Sequence, residues 1–72
     1  MKYFFDRVHI KNSQYDYQGK VLHSREAARE LAELMAMDLE VDEEENWAGW
    51  AISVRDSLVQ QLFSVPVGAT AR

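Results

Sequence analysis

Cysteine is missing from this chain, which removes disulfides, thiolate metal sites and a Cys nucleophile together. That composition leaves the redox compartment open and fits a cytoplasmic protein. Proline occurs once, at Pro66, and the three glycines are scattered at Gly19, Gly49 and Gly68, so there is no Gly-rich phosphate loop and no flexible linker. No stretch approaches the ~20 consecutive apolar residues of a membrane-spanning helix. The opening Met1-Lys2-Tyr3-Phe4-Phe5 lacks the apolar run and small-residue cleavage site of a signal peptide. Cations are scarce as well: 8 Lys and Arg against 12 Asp and Glu leave a net charge of −4, with no basic cluster. Neither a membrane nor a nucleic acid is therefore an expected partner, since duplexes are held largely through cationic contacts to phosphate.

What the chain does contain is bounded by its size. At 72 residues it is one domain, near the lower limit at which a single hydrophobic core holds a fold unaided. With disulfides excluded, oligomerisation is the remaining common support. Residues 2–10 are rich in aromatic and β-branched types and read as a strand, and Lys11-Asn12-Ser13-Gln14 turns the chain into a short strand around Tyr15. Asp16-Tyr17-Gln18-Gly19 has the Asp and Gly of a type I turn, before the extended piece Lys20-Val21-Leu22. Ser24 stands where a helix N-cap belongs, with Glu26 near the positive end of the dipole. Ala27, Ala28, Leu31, Ala32, Leu34, Met35 and Leu39 recur at helical spacing and predict a helix from Arg25 to about Glu40 with that stripe facing a core.

Asp42-Glu43-Glu44-Glu45-Asn46 breaks the period and reads as an exposed acidic loop. Trp50, Ile52 and Val54 then alternate with polar or small residues, a strand half-buried on the side of those three. Asp56-Ser57-Leu58-Val59 forms a turn, and Leu62-Phe63-Ser64-Val65 a last strand that ends or lies at an edge because of Pro66. The expected fold is α+β: a small antiparallel sheet, ββαββ, with one helix packed on one face, over 1–67, followed by a flexible tail over 68–72. Four strands at ~4.8 Å spacing are wider than one ~10 Å helix, which predicts an uncovered apolar surface. Either Tyr3 and Phe5, or Phe4 with Val8 and Ile10, should then lie against another molecule, most simply a second copy of the chain.

Five segments in this order carry a resemblance: Tyr3-Phe4-Phe5-Asp6, Asp16 to Gly19, Leu22 leading to Ala27-Ala28-Arg29, Trp50-Ala51-Ile52-Ser53-Val54-Arg55-Asp56, and Phe63-Ser64-Val65-Pro66-Val67. Together they resemble a family of short alphaproteobacterial proteins known only as a domain of unknown function. The resemblance spans nearly the whole chain and implies a common fold, with no activity to carry over. His23-Ser24 stands where that family usually has Pro-Asp, which keeps an N-cap residue. Val59 stands where it usually has Gly, which implies a looser last turn.

Four groups of residues are candidates for chemistry or binding. Asp6 is an ionisable group in an apolar strand, and a catalytic or small-ligand role requires it to converge with Arg29 or Arg55 on one pocket; otherwise it is a structural Asp satisfied by an Arg or backbone amides. The loop of Asp42, Glu43, Glu44 and Glu45 offers oxygen ligands but lacks the ligand spacing of an EF-hand, so a solvated loop or a docking surface for a basic protein is expected rather than a metal site. His9 and His23 have no ligand spacing, and no metal or cofactor is expected. Trp47 packs at the helix end or anchors an interface, as Tyr3, Phe4 and Phe5 do on the sheet. The expectation is a small non-enzymatic interaction module, homodimeric, with an antitoxin-like binder of a basic partner as the alternative and a minimal enzyme using Asp6 as the third reading.

Overall fold

Ser24 takes the N-cap position of the only helix in a computed structural model that describes residues 1–42, 44–58 and 60–68. Its backbone is extended and its side chain accepts a hydrogen bond from the Ala27 N–H at 3.0 Å, so an orphan amide of the first turn is satisfied. The helix, α1, runs Arg25–Glu40, as its periodicity predicts. Around it the chain forms β1 (Lys2–Val8), β2 (Ser13–Gln14), β3 (Lys20–Val21), β4 (Ala51–Asp56) and β5 (Gln61–Pro66).

All strand pairs are antiparallel, in the order β2-β1-β4-β5, with β3 also paired to β1. The sheet thus has five strands rather than four. β2 sits opposite Arg7 and Val8, and β3 opposite Lys2 and Tyr3, so two short pieces share one side of β1. The second strand lies at Ser13–Gln14 rather than around Tyr15, because residues 15–19 leave the ladder.

α1 packs across β4 and β5. Its Ala28, Ala32 and Ala36, four residues apart, form a seam without bulk that lets the helix approach the sheet closely. Under that seam lie Ile52 and Val54 of β4, Val65 of β5, and Tyr3 and Phe5 of β1. Tyr3 and Phe5 are only 4% and 5% exposed. They belong to the protomer's own core, contrary to the expectation that they face a partner. Backbone spacing overstates the width to be covered, because long side chains on the helix flanks reach outward: Leu31, Met35 and Leu39 pack against the core, and the Arg29 guanidinium lies 4.8 Å above the Phe63 ring. Leu34, however, is not in the core but faces solvent.

Phe4 occupies the opposite face and is also partly covered by the chain itself. Gly19 has φ +73°, and a Cβ there would lie 3.0 Å from Cε2 of Phe4, so its backbone rests on the ring and no larger residue fits without a shift. Lys2 and Arg55 lie over the same ring, at 5.9 and 4.7 Å.

Trp50 departs from its expected place beside Ile52 and Val54. It precedes β4 and forms a half-buried aromatic cluster, edge-to-face with Trp47 at 5.0 Å and tilted over His9 at 5.2 Å. The turn after β4 is organised by Asp56, whose carboxylate accepts the N–H groups of Leu58 and Gln60. Val59 lies outside the described residues, as do residues 69–72 of the expected tail.

Candidate functional site

The β1–β4 register decides which cation Asp6 meets. Asp6 stands opposite Ser53 and Phe4 opposite Arg55, so Arg55 is the diagonal neighbour of Asp6 on the face away from α1. Its Nε donates to Asp6 Oδ2 at 2.7 Å and its Nη2 to Oδ1 at 3.3 Å. The pair is forked and mostly buried, with side-chain exposures of 4% for Asp6 and 20% for Arg55. Arg29 belongs to the helix side of the sheet, over Phe63 and 3.8 Å from Glu33, and takes no part.

A third group completes the cluster. The Asp16 N–H donates to Asp6 Oδ1 at 2.9 Å, and the Asp16 carbonyl accepts from Arg55 Nη2 at 3.0 Å. Its carboxylate turns back to accept the N–H groups of Gln18 and Gly19, each at 3.0 Å, and of Phe5 at 3.2 Å. Residues 15–19 are thereby strapped over the sheet, and the carboxylate fills the gap that β2 and β3 leave in the β1 ladder. Burial acts to raise the Asp16 pKa, but the three amides and the Arg55 charge outweigh it and hold the carboxyl below the usual range. Bonding to Asp6 raises the Arg55 guanidinium above its ordinary value, so the guanidinium stays charged.

Because Asp16 is more acidic folded than unfolded, its contribution to stability is complete above the unfolded carboxylate range and is lost as pH falls through the folded value. Thermal melts should therefore decline below about pH 4, and Asp16→Asn should flatten that decline while lowering the melting temperature near neutrality. Circular dichroism melts at pH 7, 5 and 3 check this; an equally steep acid decline in the variant would assign it to other carboxylates.

The second cluster closes the C-terminal end of α1. The Trp47 indole N–H donates to Asp42 Oδ2 at 3.0 Å, and the Glu44 N–H to Oδ1 at 2.9 Å. These two bonds, the indole first, keep the Asp42 carboxyl below its usual range. Trp47 is buried, with the Arg7 guanidinium 5.5 Å from its ring, and thus plugs the helix end instead of protruding as an anchor. Beside it lies an open cleft of about 720 Å³ bordered by Glu40, Asp42, Glu44, Glu45 and Trp47. Glu44 and Glu45 are exposed, and Glu43 lies outside the described residues. Among the described residues no three His, Cys, Asp or Glu side chains are grouped to hold a metal ion. His9 stacks on Trp50 and accepts the Lys11 N–H through Nδ1, and the exposed His23 precedes the helix.

The model of the family described as Domain of unknown function (DUF6894) matches residues 2–68, which carry both clusters. The chain belongs to this family. No curated protein and no solved structure matches it. Within the DUF6894 domain, the face away from α1 carries a second opening, a shallow groove of about 490 Å³ with Asp6, Ser53 and Arg55 in its floor and Tyr15 and Tyr17 at its rim. The two tyrosines are exposed, Tyr17 at 84%. Sequence reading assigns Asp16 to a turn and gives Tyr15 and Tyr17 no role; the one local signal is the Asp-x-x-Gly spacing, which marks the strap but not what it ties down. No helix among the described residues of the DUF6894 domain is long and apolar enough to cross a membrane.

Proposed function

We propose that the protein is a small non-catalytic interaction module that forms a homodimer through the sheet face opposite α1. The observation that carries this is the pair of exposed tyrosines, Tyr15 and Tyr17, bordering an open groove on a face that no helix covers. Tyrosine is enriched where proteins meet, because it offers a rigid apolar ring with a polar tip. The floor beneath is already satisfied, since Asp6 spends both carboxylate oxygens on Arg55 and the Asp16 amide. That occupancy also argues against acid or base chemistry, which needs a carboxylate free to meet a substrate.

Charge permits self-association here. The cations Lys2 and Arg55 and the carboxylate of Asp6 share this face, so neither sign of charge is massed on it. A standard interface of about 800 Å² per partner would cover roughly 15% of the 5179 Å² surface. Such burial supplements a core in which Ile52 and Val54 are the largest fully buried side chains.

Light scattering from micromolar to millimolar concentration tests this reading. The wild type should move to twice the protomer mass, and Tyr17→Asp should remain monomeric with an unchanged circular dichroism spectrum. A wild type that stays monomeric at millimolar concentration overturns it, as does an equally dimeric Tyr17→Asp.

A further inference from the structure

We propose that the outward face of α1 is a docking surface for a cationic amphipathic helix of another protein. Leu34, Met37 and Val41 are 58%, 51% and 73% exposed. Their spacing of i, i+3 and i+7 sets them in one line along the helix and its C-cap, on the side away from the Ala28, Ala32 and Ala36 seam. Three large apolar side chains in register on an outward face make the pattern by which one helix seats another. Met37 adds a side chain that adapts to its partner's shape.

The surroundings specify the occupant. The 100° step of the helix places Glu33 and Glu40 on one flank of that line, Asp38 on the other and Glu30 in the line itself one turn before Leu34, with Glu33 already 3.8 Å from Arg29. Residues 30–46 contain eight carboxylates and no Lys, Arg or His. The last turn of α1 has no basic residue, so the negative end of the helix dipole lies among like charges. A cation brought there by a partner meets both the carboxylates and the dipole.

A second copy of this chain does not fit, because pairing this face with itself would set the same carboxylates against one another. An anionic lipid surface is repelled for the same reason, and the Lys- and Arg-rich flanks of a membrane-surface helix are absent. The matching partner carries apolar residues at i, i+3 or i+4, and i+7, with Lys or Arg on both flanks. Tyr17 lies across the sheet from α1 and Tyr15 at the sheet edge, whereas Leu34, Met37 and Val41 point away from the sheet, so this surface is independent of the homodimer and both are open to occupation together.

The test uses the full chain and a fluorescein-labelled synthetic helical peptide with Leu at i, i+3 and i+7 flanked by Lys. A shuffled peptide of identical composition is the control. The patterned peptide should bind in the micromolar range by anisotropy, and binding should weaken at least about tenfold for Leu34→Ser/Met37→Ser and for the shuffled peptide. Both substituted residues are exposed, so the fold should persist by circular dichroism. Amide shifts on the wild type should map to residues 30–41, a readout that stands even if the double variant fails to fold. Equal binding of the shuffled peptide, unchanged affinity in the folded variant, or shifts confined to the sheet would overturn the proposal. Light scattering on the same variant separates it from the homodimer reading, because Leu34→Ser/Met37→Ser should leave self-association as it is.

Discussion

Asp6→Ala should cost about 3–5 kcal/mol of folding stability, the largest effect expected of any single substitution in this protein. The carboxylate is buried and receives two bonds from Arg55 and one from the Asp16 N–H. Its removal leaves the guanidinium in a mostly dry site without its bonded counter-charge, and it removes one of the bonds that tie the strap of residues 15–19 to the sheet. A domain of this size has roughly 4–10 kcal/mol to lose. A fall in melting temperature of at least about 12 °C follows, since 1 kcal/mol shifts a small domain by about 4–8 °C. Asp6→Asn retains an acceptor for the Asp16 amide and should fall between wild type and Asp6→Ala. The double variant Asp6→Asn/Arg55→Met should be less destabilised than the sum of its single changes, because it leaves no buried charge unpaired. An Asp6→Ala protein melting within a few degrees of wild type would show that the cluster is dispensable.

Ile52→Ala comes next, at about 2–5 kcal/mol. Ile52 is fully buried on β4, between Arg7 of β1 and Val65 of β5 in register. Strands on both sides hold the backbone in place, and the overlying alanines have no atoms with which to fill a void. Little collapse is available, which favours the upper half of that range. Val65→Ala, on the outermost strand, removes fewer atoms where the chain relaxes more easily, and should cost less. Urea titration distinguishes them by midpoint at constant slope; equal midpoints for the two variants would mean that β4 is no more confined than β5.

The helix was legible in the sequence because its signals are local: a capping Ser24, a first-turn Glu26 and alanines four apart each act within a turn or two. Leu34 shows where periodicity misleads. It follows Leu31 by three residues, yet each such step advances 60° around the helix, and two residues from Ala32 place it nearly opposite the seam. Of the two apolar faces expected to need a partner, that of Tyr3 and Phe5 or that of Phe4, Val8 and Ile10, the first is covered internally, because flanking side chains such as Met35 and Arg29 widen what one helix can cover. The choice of Arg55 over Arg29 for Asp6 depends on pairing between residues 49 apart in the chain, which no local pattern records. Trp50 obeys the alternation of β4 but lies beyond its end, where contacts with Trp47 and His9 govern its position.

The stitched side of β1 has a consequence for solubility. A chain opening on Tyr3-Phe4-Phe5 would, as a bare border strand, offer a template for fibril growth. One border of the sheet is instead divided between β2 and β3, and the Asp16 carboxylate occupies the amide of Phe5 in the interval. At the other border the Val67 N–H turns inward to Trp50, so the alternate residue Pro66 faces outward with no proton to donate. Neither margin gives a foreign strand an uninterrupted run of rungs, so the aromatic segment is protected from aggregation by the way the sheet is finished at its sides.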